Sequence, residues 1–343
     1  MTSQFSPATL ITDLTGPNIS DTERGWLTSP HLGGLILFTR HYQSKQQLAE
    51  FIQQVLEVNP KLLITVDHEG GRVQRFRQGF TQVPAMGLIG QLAETDMRSA
   101  RQCAYAAGIV LAYELRQVGV HLTYAPVLDL DYDRNQVIGA RSFGHKPETV
   151  TLLGGELMAG LKALGMAVVA KHFPGHGWVQ GDSHHMSPVD ERTLQQIEQV
   201  DMQPFAELMP QIDWMMPAHV VFPQVDANPA GFSKVWLQTI LRGQLGFTGP
   251  IVSDDLSMQG AAIKGGYGDR AQAALAAGCN VLLACNSAQA SVELLSFMAA
   301  QQVPVMDISH FQPKVDWQAQ TSEYEKARTL LVQHFPESGV SYG

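Results

Sequence analysis

Eight short apolar runs, each leading into a polar or amphipathic stretch, constrain the fold of this chain more than any other feature of its sequence. They are Leu10 to Leu14, Gly34 to Phe38, Leu62 to Val66, His121 to Val127, Ala167 to Ala170, Trp214 to Ala218, Ile251 to Ser253 and Val281 to Ala284. Short apolar runs bounded by turn formers fit buried strands. Between the second and third, Leu48, Phe51, Ile52, Val55 and Leu56 recur at helical spacing behind Ser44 and Gln47, a capping-box pair, so a helix joins two strands. The same reasoning predicts helices near 94–117, 148–164, 192–209, 233–242 and 269–277, several closed by a glycine such as Gly119, Gly165 or Gly278. Repeated strand–helix units make a parallel sheet. No glycine-rich dinucleotide fingerprint follows the first strands, so a single (β/α)8 TIM-type barrel fits better than a doubly wound sheet.

The length of 343 residues permits one barrel or two ordinary domains. No linker, low-complexity segment or short repeat divides the chain. We therefore expect a single catalytic domain over 1–343, with helices from about 287 to 335 packed on its outside and an irregular last stretch from Pro336.

Composition narrows the function classes. With 45% hydrophobic and 16% charged residues the chain can bury a sizeable core. A net charge of -9 without any Lys/Arg-rich run argues against nucleic acid or an anionic membrane as partner. No signal-peptide pattern or membrane-length apolar segment occurs, so the expected location is the cytoplasm. Three cysteines, Cys103, Cys279 and Cys285, lack metal spacing and are expected to be buried thiols in a reducing compartment.

In a (β/α) barrel the site forms at the carboxyl ends of the strands. The apolar runs here lead into Asp67-His68-Glu69-Gly70-Gly71-Arg72, Asp129 to Asp133, Lys171-His172-Phe173-Pro174-Gly175-His176-Gly177, His219 and Ser253-Asp254-Asp255. Any one of these has a structural explanation as a cap, a turn or a hydrogen-bonded histidine. Five in register point to a polar site. Gly175 to Pro188 is a long glycine-rich loop in which Asp182 and His184 lie two apart, close enough for the carboxylate to fix the imidazole tautomer and raise its basicity. His184 is thus a proton-transfer candidate, and a solvated His184 beside a turn-capping Asp182 is the alternative. His172 and His176 lie four apart, but Pro174 and Gly175 between them break the helix on which that spacing binds zinc, so no metal is expected. Lys171 at a strand end also suggests a Schiff-base lysine. A charged pocket of Asp67, Arg75, Arg141 and His172 suits hydroxyl groups better than a desolvated amine.

Taken together, Gly33 to Arg40, Val66 to Phe76, Ala125 to Asp129, Ala140 to Phe143, Lys171 to Gly177, Asp182 to His184, Met216 to His219 and Ser253 to Met258 resemble the bacterial β-N-acetylhexosaminidases of glycoside hydrolase family three. The likeness is to the short cytoplasmic enzymes of peptidoglycan recycling. Position by position, it implies Asp254 as nucleophile, His184 as acid/base and Asp182 as its partner, with Asp67, Arg75, Arg141, Lys171 and His172 holding the sugar. It also decides between Asp254 and Asp255, which strand parity leaves open. The implied reaction is a retaining release of terminal N-acetylglucosamine from muropeptide fragments by a monomer that needs no cofactor and no metal. Two positions depart from the pattern, His68 and the run Trp178-Val179-Gln180-Gly181, and both are expected to bear on the leaving-group side. A β-N-acetylglucosaminide phosphorylase and a non-catalytic amino-sugar-binding protein are the readings that the residues leave open.

Overall fold

The computed structural model describes residues 5–134, 136–180 and 188–338. Its framework is a TIM-barrel-like α/β fold. Strand Thr9–Thr12 lies between Leu32–Leu37 and Val281–Leu283, and the sheet continues through Leu63–Val66 to Leu122–Thr123, every pairing parallel. Val169–Phe173 pairs with Trp214–Pro217, also in parallel. Isolated parallel bridges Val127↔Lys171, Met215↔Ile251 and Val252↔Val281 link this pair to the larger sheet on both sides.

Two expected strands are therefore shorter than the apolar runs suggested. In His121 to Val127 only Leu122–Thr123 is ladder, because Pro126 has no N–H to donate. Ile251 to Ser253 makes bridges at its first two residues and then turns into the site. Side chains pointing inward from these segments, among them Ile11, Ile36, Leu63, Tyr124, Val169, Trp214, Val252 and Val281, form one buried cluster. Phe311 closes one side of it, edge-on to Trp214 at 5.1 Å. The larger core lies between strands and helices. Strands approach closely enough at Gly34 that a Cβ there would stand 2.4 Å from the Leu63 carbonyl oxygen.

Helices Lys45–Val58, Met97–Gln117, Pro147–Ala163 and Tyr267–Ala277 match the expected stretches. Gly119, Gly165 and Gly278 follow helix ends with positive φ, as helix-closing glycines do. Ser44 caps its helix through the Gln47 N–H, but the box is incomplete: the Gln47 side chain reaches Gln43 N–H instead of Ser44. The single helix expected over 192–209 is two, Leu194–Gln199 and Gln203–Leu208, because Pro204 cannot donate the backbone bond that would continue the first. Val235–Gln244 is wound as a π-helix. In the expected outer region, Ala288–Ala300 and Thr321–His334 are helical, and Pro336–Ser338 is one 3-10 turn. None of the described helices is long and apolar enough to cross a membrane.

Candidate active site

The ends of the strands converge on one cavity of about 340 Å³, small enough to surround a single sugar ring. Asp67 follows strand Leu63–Val66, Lys171 and His172 lie in Val169–Phe173, and Asp254 follows the bridge residues Ile251 and Val252. Arg75 comes just after Val73–Gln74, the second arm of a short hairpin, and Arg141 ends the 3-10 turn Gly139–Arg141. All six line the cavity, with Phe38, Met216 and Asn286. Asp182 and His184 lie outside the described residues.

Charge in the cavity is arranged by Asp67 at its wall and Glu69 behind it. Lys171 Nζ lies 3.0 Å from Asp67 Oδ1 and 2.5 Å from Glu69 Oε1. Arg141 grips Glu69 with two bonds, Nε to Oε2 and Nη2 to Oε1, each 2.8 Å. Arg75 reaches Asp67 at 3.6 Å. Burial would raise the Glu69 carboxyl, but Arg141 and Lys171 outweigh it and hold the group well below the usual carboxylate range. The same carboxylate raises the Arg141 guanidinium against the opposing effect of burial.

Asp129, fully buried, organises the segment after Lys171. It accepts the His172 N–H at 3.1 Å and the His176 N–H at 2.8 Å, and its second oxygen takes His172 Nδ1–H at 2.6 Å. That bond leaves Nε2 as the free hydrogen-bonding atom of the His172 ring. Burial opposes ionisation of Asp129, yet His172 and His176 hold its carboxyl below the ordinary value. Burial pushes the His176 imidazole down to about 4, with His172 adding to it. Gly177 packs against the backbone at Leu130, where a Cβ would fall 1.7 Å from the carbonyl oxygen.

The adjacent aspartates have different surroundings. Burial would raise Asp254, but His219, His172 and the Asp255 N–H, at 2.8 Å, hold it below the usual aspartate value. Asp255 instead braces the loop, accepting the Ser257 N–H and hydroxyl at 2.8 and 2.7 Å and the Cys285 N–H at 3.0 Å. His219 packs on Phe232 with ring centroids 5.3 Å apart and places Nε2 3.2 Å from the Asp255 carbonyl.

The described residues on either side of 181–187 are held by contacts of their own. Trp178 lies between the guanidinium groups of Arg134 and Arg192, at 4.3 and 4.4 Å, and edge-on to Tyr132 at 5.0 Å. Arg192 is also bonded to Asp190 at 2.7 Å and Asp201 at 2.6 Å, both carboxylates fully buried. Val189 bridges to Val221. Of the two departures noted in the sequence, His68 packs on Phe76 and Phe80 at 5.5 and 5.8 Å and Trp178 sits in the clamp just described, neither lining the cavity, while Gly181 lies outside the described residues. Sequence reasoning passed over Glu69, Asp129 and Arg192 as individual site residues. Only their place in polar strand-end segments signals the first two.

A polar cavity at the carboxyl ends of barrel strands, with an ionised aspartate among cations and a second acid, fits a hydrolase of the glycoside class. Residues 6–315 match the glycosyl hydrolase family 3 N terminal domain. A β-hexosaminidase of Bordetella avium is 44% identical over 339 residues, covering 96% of this chain and 97% of the relative. One from Shewanella frigidimarina is 51% identical over 279 residues, covering 81% of this chain and 82% of its own. The crystal structure of native NagZ from Neisseria gonorrhoeae superposes with a TM-score of 0.88 at 39% identity, covering 97% of this chain and 99% of that one. The chain belongs to glycosyl hydrolase family 3, among its bacterial β-N-acetylhexosaminidases, and is a glycoside hydrolase.

Proposed function

We propose that this chain is a retaining exo-β-N-acetylglucosaminidase that releases terminal N-acetylglucosamine from peptidoglycan fragments, GlcNAc-1,6-anhydroMurNAc with or without its peptide, during cell-wall recycling in the cytoplasm. The carrying observation is Asp254, held ionised at a strand end in a cavity whose other groups are Asp67, Arg75, Arg141, Lys171 and His172. These acids and cations suit the hydroxyl and acetamido groups of one amino sugar. The N. gonorrhoeae NagZ structure has also been determined with N-trifluoroacetyl-D-glucosamine, which supports an amino-sugar ligand.

In this reading Asp254 attacks the anomeric carbon as the bond to the leaving oxygen breaks, and His184, oriented by Asp182, gives that oxygen its proton. Water then attacks the glycosyl-enzyme, loses a proton to His184 and frees Asp254. An imidazole acts as acid and base near neutrality without the large upward shift a carboxyl would need. No cofactor or metal takes part. The fold is taken as a closed eight-stranded barrel forming one catalytic domain over 1–343, supported by the parallel bridges that continue its wall. The protein is taken as a monomer.

The test compares aryl β-N-acetylglucosaminide with aryl β-glucoside after dialysis against chelator, with and without phosphate, and maps the adduct left by a fluorosugar inactivator. Strong preference for the N-acetylglucosaminide, no dependence on metal or phosphate, and an adduct on Asp254 are expected. Equal turnover of the two glycosides, or an adduct elsewhere, overturns the reading.

A further inference from the structure

We infer that Glu69 is a positioning residue that aims Arg141 and Lys171 into the sugar cavity from behind. The inference rests on the reading of that cavity as a sugar site. Glu69 does not line the cavity, whereas both of its partners do. Its side chain is 4% exposed, and those of Lys171 and Arg141 are 3% and 11% exposed. Both carboxylate oxygens are engaged: Oε2 takes Arg141 Nε–H, and Oε1 is shared by Arg141 Nη2 and Lys171 Nζ. The paired bonds fix the plane of the guanidinium as well as its position. The third places the ammonium 2.5 Å from the same oxygen.

The backbone beneath Glu69 is held in turn. His68–Gly70 pairs with Val73–Gln74, and the Gln74 side chain donates to the Phe76 and Thr81 carbonyls at 3.1 and 2.9 Å while accepting the Val83 N–H at 3.1 Å. Gly70 turns at φ +98 with the Pro84 carbonyl oxygen 2.8 Å from where a Cβ would be. The carboxylate is therefore a fixed point on which two flexible side chains are oriented. Without it, among the described residues Lys171 keeps only Asp67, at 3.0 Å, as its anion, and Arg141 keeps only the Val137 carbonyl, at 3.1 Å, as a hydrogen-bond acceptor. Lys171 would then neutralise Asp67, and the guanidinium would lose its plane. Glu69 shares the Lys171 ammonium with Asp67, so that its charge is not taken up by the cavity acid alone.

A double-variant cycle tests this. Glu69→Gln and Arg141→Met are each expected to lower kcat/KM about a hundredfold, the loss that ångström-scale misplacement brings. The double variant should lose less than the product of the two single losses, because part of the effect of Glu69 runs through Arg141 and the rest through Lys171. Glu69→Gln leaves two buried cations short of an anion, so the double variant, with its charge balance restored, also guards against a folding failure. Calorimetric affinity for N-acetylglucosamine should fall with Glu69→Gln and should not return in Glu69→Asp, whose shorter side chain cannot span both cations. Losses that multiply in the double variant, or an unchanged sugar affinity alongside a lowered melting temperature, overturn the inference. A wild-type protein that neither binds nor cleaves the amino sugar overturns the functional reading instead. The Arg141 Nε–H signal in nitrogen-15 spectra then decides on Glu69: slow exchange in the wild type, lost in Glu69→Gln, is expected, and an unchanged signal refutes the inference.

Discussion

Asp254 and Asp255 are the same side chain one residue apart, yet the fold gives them opposite chemistry. Asp254 faces the cavity and is held below the usual aspartate value against the effect of burial. Burial pushes Asp255 up to about 6 despite its bonds from Ser257 and Cys285, with Asp254 adding to the rise. A raised carboxyl binds its proton more tightly folded than unfolded, so its contribution to stability is present below about pH 4 and is lost as pH rises through about 6. The slope is at most about 1.4 kcal/mol per pH unit, one proton's worth. Asp255→Asn should abolish that slope in urea melts from pH 4 to 6, and an unchanged slope would assign it to another group. Strand alternation left the two aspartates undivided, because the segment carrying them makes only two bridges before turning away, and it was the family resemblance that chose Asp254. Asp67, Lys171 and His172 were legible because they end apolar runs. The partnership of Glu69 with Arg141 was not, since the two are 72 residues apart and meet only in the folded chain.

At the scale of elements, glycines and length marked a loop from Gly175 to Pro188, of which 181–187 lie outside the described residues, but what holds its flanks was not legible. Its stems are joined by Arg192, which touches Trp178 on one side of the 181–187 segment while binding Asp190 and Asp201 on the other. The hydrophobic pattern over 192–209 read as one continuous helix. In the structure Arg192 precedes the helix and is 13% exposed, because the chain must cap at Thr193 and break before Pro204. Replacing Arg192 with Met would leave two fully buried carboxylates without their cation. Breaking a buried pair from one side typically costs about 3–5 kcal/mol. Arg192→Met should therefore be destabilised by that order in urea unfolding at neutral pH, and by less at low pH, where the carboxylates take up protons. A loss below about 1 kcal/mol, typical of exposed pairs, would show that the cluster is solvated.

Across the whole molecule the alternation of strands and helices was legible, because each parallel crossover imposes its own change of period on the sequence. The docking of the outer helices was not, because it depends on a few side chains from distant segments. Helix Thr321–His334 lies on Met97–Gln117, with Tyr324 stacked on Tyr113 at 4.1 Å and 8° and Trp317 edge-on to Tyr113 at 5.2 Å. Tyr324 donates its hydroxyl at 2.7 Å to Glu114, which also accepts the Thr81 N–H and hydroxyl at 2.8 and 2.7 Å. Thr81 in turn accepts Gln74 at its carbonyl, next to Arg75 in the cavity. The outer helix thus packs on the same buried carboxylate that steadies the hairpin behind the site. Tyr324→Phe keeps the ring stack and removes one bond to a charged acceptor, which is worth about 1.5–3 kcal/mol. Tyr324→Ala also loses the stacked ring, for a total of about 3–5 kcal/mol, as large-to-small changes of aromatic residues do. Because two Thr81 bonds still hold Glu114, Tyr324→Phe should lower the unfolding midpoint while leaving KM within about twofold of wild type, well under the 1.4 kcal/mol that a tenfold change represents. A KM raised tenfold in Tyr324→Phe at a temperature where the protein is fully folded would instead place the helix in control of the hairpin and of Arg75.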